Sequence, residues 1–255
     1  MLKIMPLFSG SSGNCTYIKY GSDEILIDAG VSYRSLSKAL CDEGTDISAI
    51  RAVIVTHEHT DHTKGLEMIA KKHHIPVYIN SASAKAMNCD TDSALHSCMV
   101  FREAGELIKT ENFSIDIFKT PHDSFGSVGY RIDSPDGQSI GYATDIGYVT
   151  KGIANALSGC ETVVIESNHD LNMLKNGHYP NYLKQRILSD RGHLSNDACG
   201  AFLPHLVRCG TQKIILAHLS QDNNRPDIAL QTAITALRNA EISPNDVSVC
   251  VARRA

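Results

Sequence analysis

Residues 57 to 62 read His-Glu-His-Thr-Asp-His and follow directly on the apolar run Ala52-Val53-Ile54-Val55. That run predicts a short buried strand, so the polar segment begins where a strand ends. Imidazole and carboxylate groups are donors that zinc, manganese and iron accept. With His57 and His59 on one side and Asp61 and His62 in the turn behind them, one loop can serve two cations. Twelve histidines in 255 residues give roughly 0.002 chance occurrences of His-x-His-x-Asp-His. An ordinary polar surface loop is therefore a poor account of the run. A chain carrying it must fold so that other strand ends complete the metal sites.

The rest of the sequence supplies such strands. Residues 16–20 and 24–27 read as a hairpin turning at Gly21-Ser22-Asp23, and helical periodicity follows at about 33–41. After the motif come a helix over 63–73, a strand at 76–79 and another short helix. Residues 113–119 and 126–142 look like consecutive strands, with Pro135-Asp136-Gly137 turning between two of them. Residues 163–165 form a further buried strand. Helices are predicted at 179–188 and 196–206, a strand at 213–217, a helix at about 227–240 and a strand at 247–251. Two groups of strands, each followed by helices, predict an α/β fold of four layers, αββα. No repeat, linker or low-complexity segment is visible, so residues 1–255 are expected to form a single domain.

Composition narrows the function. A net charge of −4 gives no overall basic field for nucleic acid, so polyanion binding would need a local patch. The eight cysteines contain no Cys-x-x-Cys pair and read as reduced, mostly buried thiols. Residues 1–8 are too short for a signal peptide, and no apolar stretch reaches membrane-spanning length. A cytoplasmic protein without membrane contact is expected.

Asp28-Ala29-Gly30, His122, Asp145 and His218 each end or follow a predicted strand, as loops converging on a site should. Together with the motif they resemble the metallo-β-lactamase superfamily, in its order and over nearly the whole chain. The resemblance implies a four-layer metallo-β-lactamase sandwich with two divalent metal ions. His57, His59 and His122 would hold one metal and Asp61, His62 and His218 the other. Asp145 would bridge them, and Asp28 would orient a ligand from behind. Two such metals can bridge a hydroxide and neutralise a phosphoryl or carbonyl oxygen, which makes hydrolysis the expected reaction, with Asp61 essential to it.

The substrate must be read from other segments. Ile165-Glu166-Ser167-Asn168 and Gly192-His193-Leu194-Ser195 resemble motifs of the tRNase Z group, although that group's long exosite arm has no counterpart here. A closer likeness is to the YycJ (WalJ, VicX) group of bacterial superfamily members. It runs through Ser9-Gly10-Ser11-Ser12-Gly13-Asn14, residues 166–170, residues 191–196 and residues 218–224. That likeness implies an exonuclease acting on DNA or RNA, with His193 as general acid and Glu166 as its partner. From the residues alone, Glu166 could equally be an ion-paired structural carboxylate, and His193 could cap the helix that starts near Ser195.

The Ser/Gly run offers backbone N–H groups to a phosphate, or is a plain turn. Lys184, Arg186 and Arg191 could meet a phosphate backbone beside His193, or form a solvated helix face. Phe125, Tyr148 and Tyr179 are the aromatics nearest the motifs and the candidates for base stacking. His73, His74, His96, His178 and His205 lack partners at ligand spacing. The alternative function keeps the metals but acts on small molecules, as a thioesterase of glyoxalase II type or a cyclic or nucleotide phosphodiesterase. A non-catalytic redox protein on the same fold would typically carry Glu where His59 stands.

Overall fold

A computed structural model describes residues 2–243 and 245–253. The first sheet has six strands in sequence order: β1 (Lys3–Phe8), β2 (Cys15–Tyr20), β3 (Asp23–Ile27), β4 (Ala52–Ile54), β5 (Val77–Ile79) and β6 (Met99–Phe101). The second has seven: β7 (Leu107–Lys109), β8 (Ser114–Lys119), β9 (Val128–Asp133), β10 (Ser139–Ala143), β11 (Thr162–Glu166), β12 (Lys213–Ala217) and β13 (Ser248–Val251). Each sheet opens with antiparallel strands and continues in parallel ones, from β3 to β6 and from β10 to β13. The two halves thus repeat a topology that shows no repeat in sequence.

Among the described residues ten α-helices join these strands: α1 (Tyr33–Asp42), α2 (Thr60–Thr63), α3 (Leu66–His73), α4 (Ser81–Ala86), α5 (Ala94–Cys98), α6 (Lys151–Leu157), α7 (Leu171–Asn176), α8 (Asn181–Ile187), α9 (Asn196–Arg208) and α10 (Pro226–Asn239). Three apolar cores establish the layer order. Strand side chains alternate between faces, so Ile25 and Ile27 of β3 join Tyr130, Ile132, Tyr142 and Val164 between the sheets. Leu26 points the other way, into a core with Leu36 and Leu40 of α1 and Leu66 and Ile69 of α3. On the far side Val163, Ile165, Ile214 and Leu216 pack under α6, α9 and α10. The αββα sandwich follows, and a hydrogen bond from the Tyr130 hydroxyl to the Val55 carbonyl (2.6 Å) crosses between the sheets.

Three strands escaped the sequence pattern, namely β1, β6 and β7, and all are sheet edges. An edge strand is only partly buried and tolerates residues such as Pro6, so it loses the apolar signature. The helix expected over 63–73 is split at Gly65 into α2 and α3, and the one expected over 179–188 begins after Pro180. Helices α5, α6 and α7 are additions, five, seven and six residues long.

Candidate metal centre

The carboxyl ends of six strands converge at one edge of the sandwich, the usual place for a site in open α/β sheets. Asp28 follows β3, the His57–His62 loop follows β4, His122 follows β8, Asp145 follows β10, Glu166 ends β11 and His218 follows β12. Asp28, Asp145 and His218 have φ of 61°, 55° and 56°. Non-glycine residues seldom adopt this left-handed conformation, and such strain gathers at functional sites. The turn after Asp28 depends on Gly30, where an added Cβ would lie 1.5 Å from the Asp61 carbonyl oxygen. Only glycine lets the motif loop pack so closely.

The donor atoms fall into overlapping groups, each within 4.8 Å: His57, His59 and His122; Asp61, His62 and His218; His57, His62 and Asp145. Asp145 also groups with Glu166, His193 and His218. All seven residues expected as ligands are therefore brought together, with Glu166 and His193 beside them. His73, His74, His96, His178 and His205 belong to none of these groups.

Side chains behind the donors aim them. Asp28 accepts from the Thr56 backbone N–H and hydroxyl at 2.8 and 2.9 Å, and its Oδ2 lies 2.8 Å from His62 Nδ1. Thr56 Oγ1, donating to Asp28, is left to accept from His57 Nδ1 at 3.0 Å. His122 Nδ1 donates to the Gly192 carbonyl at 3.2 Å. Each pairing leaves Nε2 free to face the cluster. Glu166 is wholly buried; Oε1 lies 2.8 Å from Nδ1 of both His193 and His218, while Oε2 accepts from the Ile146 and Leu194 backbone N–H groups. Glu166 thus reaches any substrate only through histidines.

The electrostatics call for a cation. Asp28, Asp61, Asp145 and Glu166 are gathered here, and among the described residues their ion-pair partners are all histidines. Buried carboxylates in such number require compensating positive charge. Burial opposes protonation of His62, but Asp28 and Asp145 outweigh it and hold its pKa well above the ordinary value. His218 is raised in the same way, burial being overcome by Asp145 and Glu166. Burial and the neighbouring rings push His57 well down, and burial lowers His122 despite Asp145. Burial thus favours the neutral, donating form of His57 and His122, while the carboxylates around His62 and His218 favour positive charge at that end of the cluster. Asp145 Oδ2 and His218 Nε2 are buried without a hydrogen-bond partner. The donor set, the surplus of buried carboxylate and these orphaned atoms fit divalent metal binding.

Several contributors were not visible in sequence. Asn14, inside the Ser/Gly run, places Nδ2 at 3.3 Å from Asp61 Oδ2 and 3.1 Å from His62 Nε2. The run itself is a brace: Gly10 N–H donates to Asn14 Oδ1, Asn14 N–H to the Asp61 carbonyl, and His218 N–H to Ser9 Oγ. Its loop spacing carried no sign of these long-range contacts. Asn168 holds the His218 carbonyl at 2.8 Å, and Asp170 caps α7 through Met173 N–H. The basic cluster divides: Arg186 pairs with Asp123, Arg191 donates to the His122 and Ser124 carbonyls, and Lys184 to the Lys175 carbonyl. Helix α9 is capped by Ser195 through Ala198 N–H (3.1 Å), which leaves His193 free of that duty.

His193 borders a cleft of about 280 Å³ with His59, Asp61, Asp145, Tyr179 and Arg186. Burial lowers its pKa, but the adjoining Glu166 carboxylate prevails and lifts it to about 9. The ring is then protonated at neutral pH, with Nδ1 held by Glu166 and Nε2 as its remaining proton donor. No helix among the described residues is long and apolar enough to cross a membrane.

A family model described as beta-lactamase superfamily domain matches residues 23–219. The chain is 34% identical over 228 residues to the exodeoxyribonuclease YycJ of Bacillus anthracis, covering 88% of this chain and 84% of that protein. It is also 34% identical over 240 residues to the exodeoxyribonuclease WalJ of Streptococcus pneumoniae, covering 92% and 88%. Among solved structures, the metallo-beta-lactamase fold protein YhfI from Bacillus subtilis superposes with a TM-score of 0.74 at 16% identity, covering 100% of this chain and 97% of that one.

Proposed function

The chain belongs to the beta-lactamase superfamily, and from that premise we propose that it is a metal-dependent exonuclease, hydrolysing phosphodiester bonds at the end of a nucleic-acid strand. The observation that carries the reading is the union of seven metal donors with a Glu166–His193 pair on the wall of one cleft. His57, His59 and His122 would hold one divalent cation and Asp61, His62 and His218 a second, with Asp145 within reach of both groups. When bound, such cations lower the pKa of an attacking water and offset charge on the phosphoryl oxygens.

The protein's own groups do the rest. Asp28, Thr56 and Asn14 aim the first-half donors, and Glu166 aims His218 and His193. His193 Nε2–H donates its proton to the departing oxygen as the P–O bond breaks, and Glu166 stabilises the imidazolium beforehand. The names of the relatives at 34% identity favour DNA as substrate. All eight cysteines are free thiols, in keeping with a single catalytic domain working in the reducing cytoplasm.

The test is metal-replete protein offered end-labelled single- and double-stranded DNA and RNA, a thioester and bis(p-nitrophenyl) phosphate. Stepwise loss of nucleotides, abolished in Asp61→Ala and slowed by about 100-fold or more in His193→Ala, is the expected result. Turnover of the small esters alone would replace this reading with a small-molecule hydrolase.

A further inference from the structure

A second groove, of about 560 Å³, adjoins the first cleft and shares His122 with it. Its volume is in the range of clefts that hold small ligands. Phe125 and Tyr148 line it, and they are 77% and 48% exposed. Among the described residues neither ring stacks on another aromatic. Two large apolar faces left in water beside a reaction centre are a loss of hydrophobic stabilisation that a ligand would recover.

The groove is built and rigid. Phe125 N–H donates to Glu58 Oε1 at 2.9 Å, so a residue of the histidine motif itself anchors this aromatic loop. Gly126 presses on Asn80, where a Cβ would sit 2.1 Å from Oδ1. The loop bearing Tyr148 is tied down by Gly147, whose N–H donates to the Pro121 carbonyl at 2.9 Å and whose Cβ position is 2.2 Å from the Asp190 carbonyl oxygen. Arg191 closes one wall by donating to the carbonyls of His122 and Ser124 at 3.1 and 3.3 Å.

Charge selects the occupant. Lys119 and Arg191 are balanced in the lining by Glu103 and Asp190, so the groove has little pull on a bare phosphate. Flat, uncharged rings suit it better, and aromatic side chains accept any base face. We propose that this groove is the nucleobase subsite: bases of the strand next to the scissile phosphate leave their stack and lie against Phe125 and Tyr148. The proposal rests on the exonuclease reading and adds to it an unstacked, single-stranded end as the bound form, with little sequence preference.

The experiment uses oligonucleotides carrying 2-aminopurine at successive positions from each end, titrated with metal-loaded protein under conditions too brief for turnover. With abasic positions on either side of it, 2-aminopurine has no neighbouring base to quench it and loses emission only on stacking against the protein's rings, so quenching is expected at the terminal nucleotides. Phe125→Ala and Tyr148→Ala should each weaken binding by about 10-fold and relieve the quenching. Phe125→Leu, which keeps apolar bulk without a flat face, should behave like the alanine variant, and Phe125→Trp should restore binding. Met68→Ala, at an exposed apolar residue of α3 that lines neither cleft, controls for general effects and should change nothing. Wild-type cleavage of the oligonucleotide with no quenching, or with full affinity in Phe125→Ala, would overturn the subsite and leave the exonuclease standing. An oligonucleotide neither bound nor cleaved by wild type would overturn both.

Discussion

The first sheet presents His57, His59, Asp61 and His62 on one loop, whereas the second presents His122, Asp145 and His218 from three separate strand ends. In the first half two short turns set the spacing, and one buried pair, Asp28 with Thr56, supports the loop from below. In the second half each donor has its own anchor: His122 on Gly192, His218 on Glu166, and Asp145 through its left-handed backbone. A local cluster of donors can form as soon as its strand does. A distributed one exists only after the second sheet is assembled, so metal binding links the stability of the two halves.

The strongest challenge to that division is to remove one donor from each side. Asp145 groups with His57 and His62 on one hand and with His218 on the other, so Asp145→Ala should reduce bound metal from two ions to fewer than one. Asp61 enters a single group with His62 and His218, so Asp61→Ala should retain about one ion. Both should lose more than ~100-fold in hydrolysis, exceeding what a supporting residue causes. Metal content by plasma mass spectrometry on folded protein decides the matter. Equal metal loss in the two variants would show that Asp145 does not serve both ions while Asp61 serves one.

A finer contrast lies one layer back, in the buried carboxylates that orient the histidines. Asp28→Asn and Glu166→Gln keep shape while removing a charge that faces histidine and backbone donors and, at Asp28, the Thr56 hydroxyl. Each should lower metal affinity by about 10- to 100-fold, read by competition with a chromophoric chelator. Glu166→Gln should depress turnover further at saturating metal, because it also removes the carboxylate charge that pairs with His193 at 2.8 Å. Equal turnover in the two metal-saturated variants would remove Glu166 from proton delivery and leave it a support for His218 alone.

The same contrast explains what sequence reasoning reached. The first-half donors stood in one improbable run after an apolar strand, and spacing alone exposed them. His122, Asp145 and His218 were legible because the family resemblance implied their order along the chain, and each also trails a predicted strand. Asn14 and Asp123 were missed because their roles depend on contacts 47 and 63 residues away in sequence, to Asp61 and Arg186. The interior strands were legible and three edges were not, since one-sided burial erases the apolar pattern that marks a strand. Glu166 could be paired with His193 on motif grounds, yet its second bond to His218 is a product of β11 lying beside β12.

The smallest effect expected separates two neighbours in the second half that sequence left competing for one role. Ser195 Oγ accepts from Ala198 N–H and caps α9, while His193, two residues earlier, turns to Glu166. Ser195→Ala should therefore lower unfolding free energy by about 1 kcal/mol in a denaturant titration, with turnover kept within about 2-fold. His193→Ala should lose turnover while leaving the α9 cap in place. If Ser195→Ala instead reduced turnover as deeply as His193→Ala, the helix start would itself position the general acid. The distributed half of the centre would then depend on α9 as well as on its strand ends.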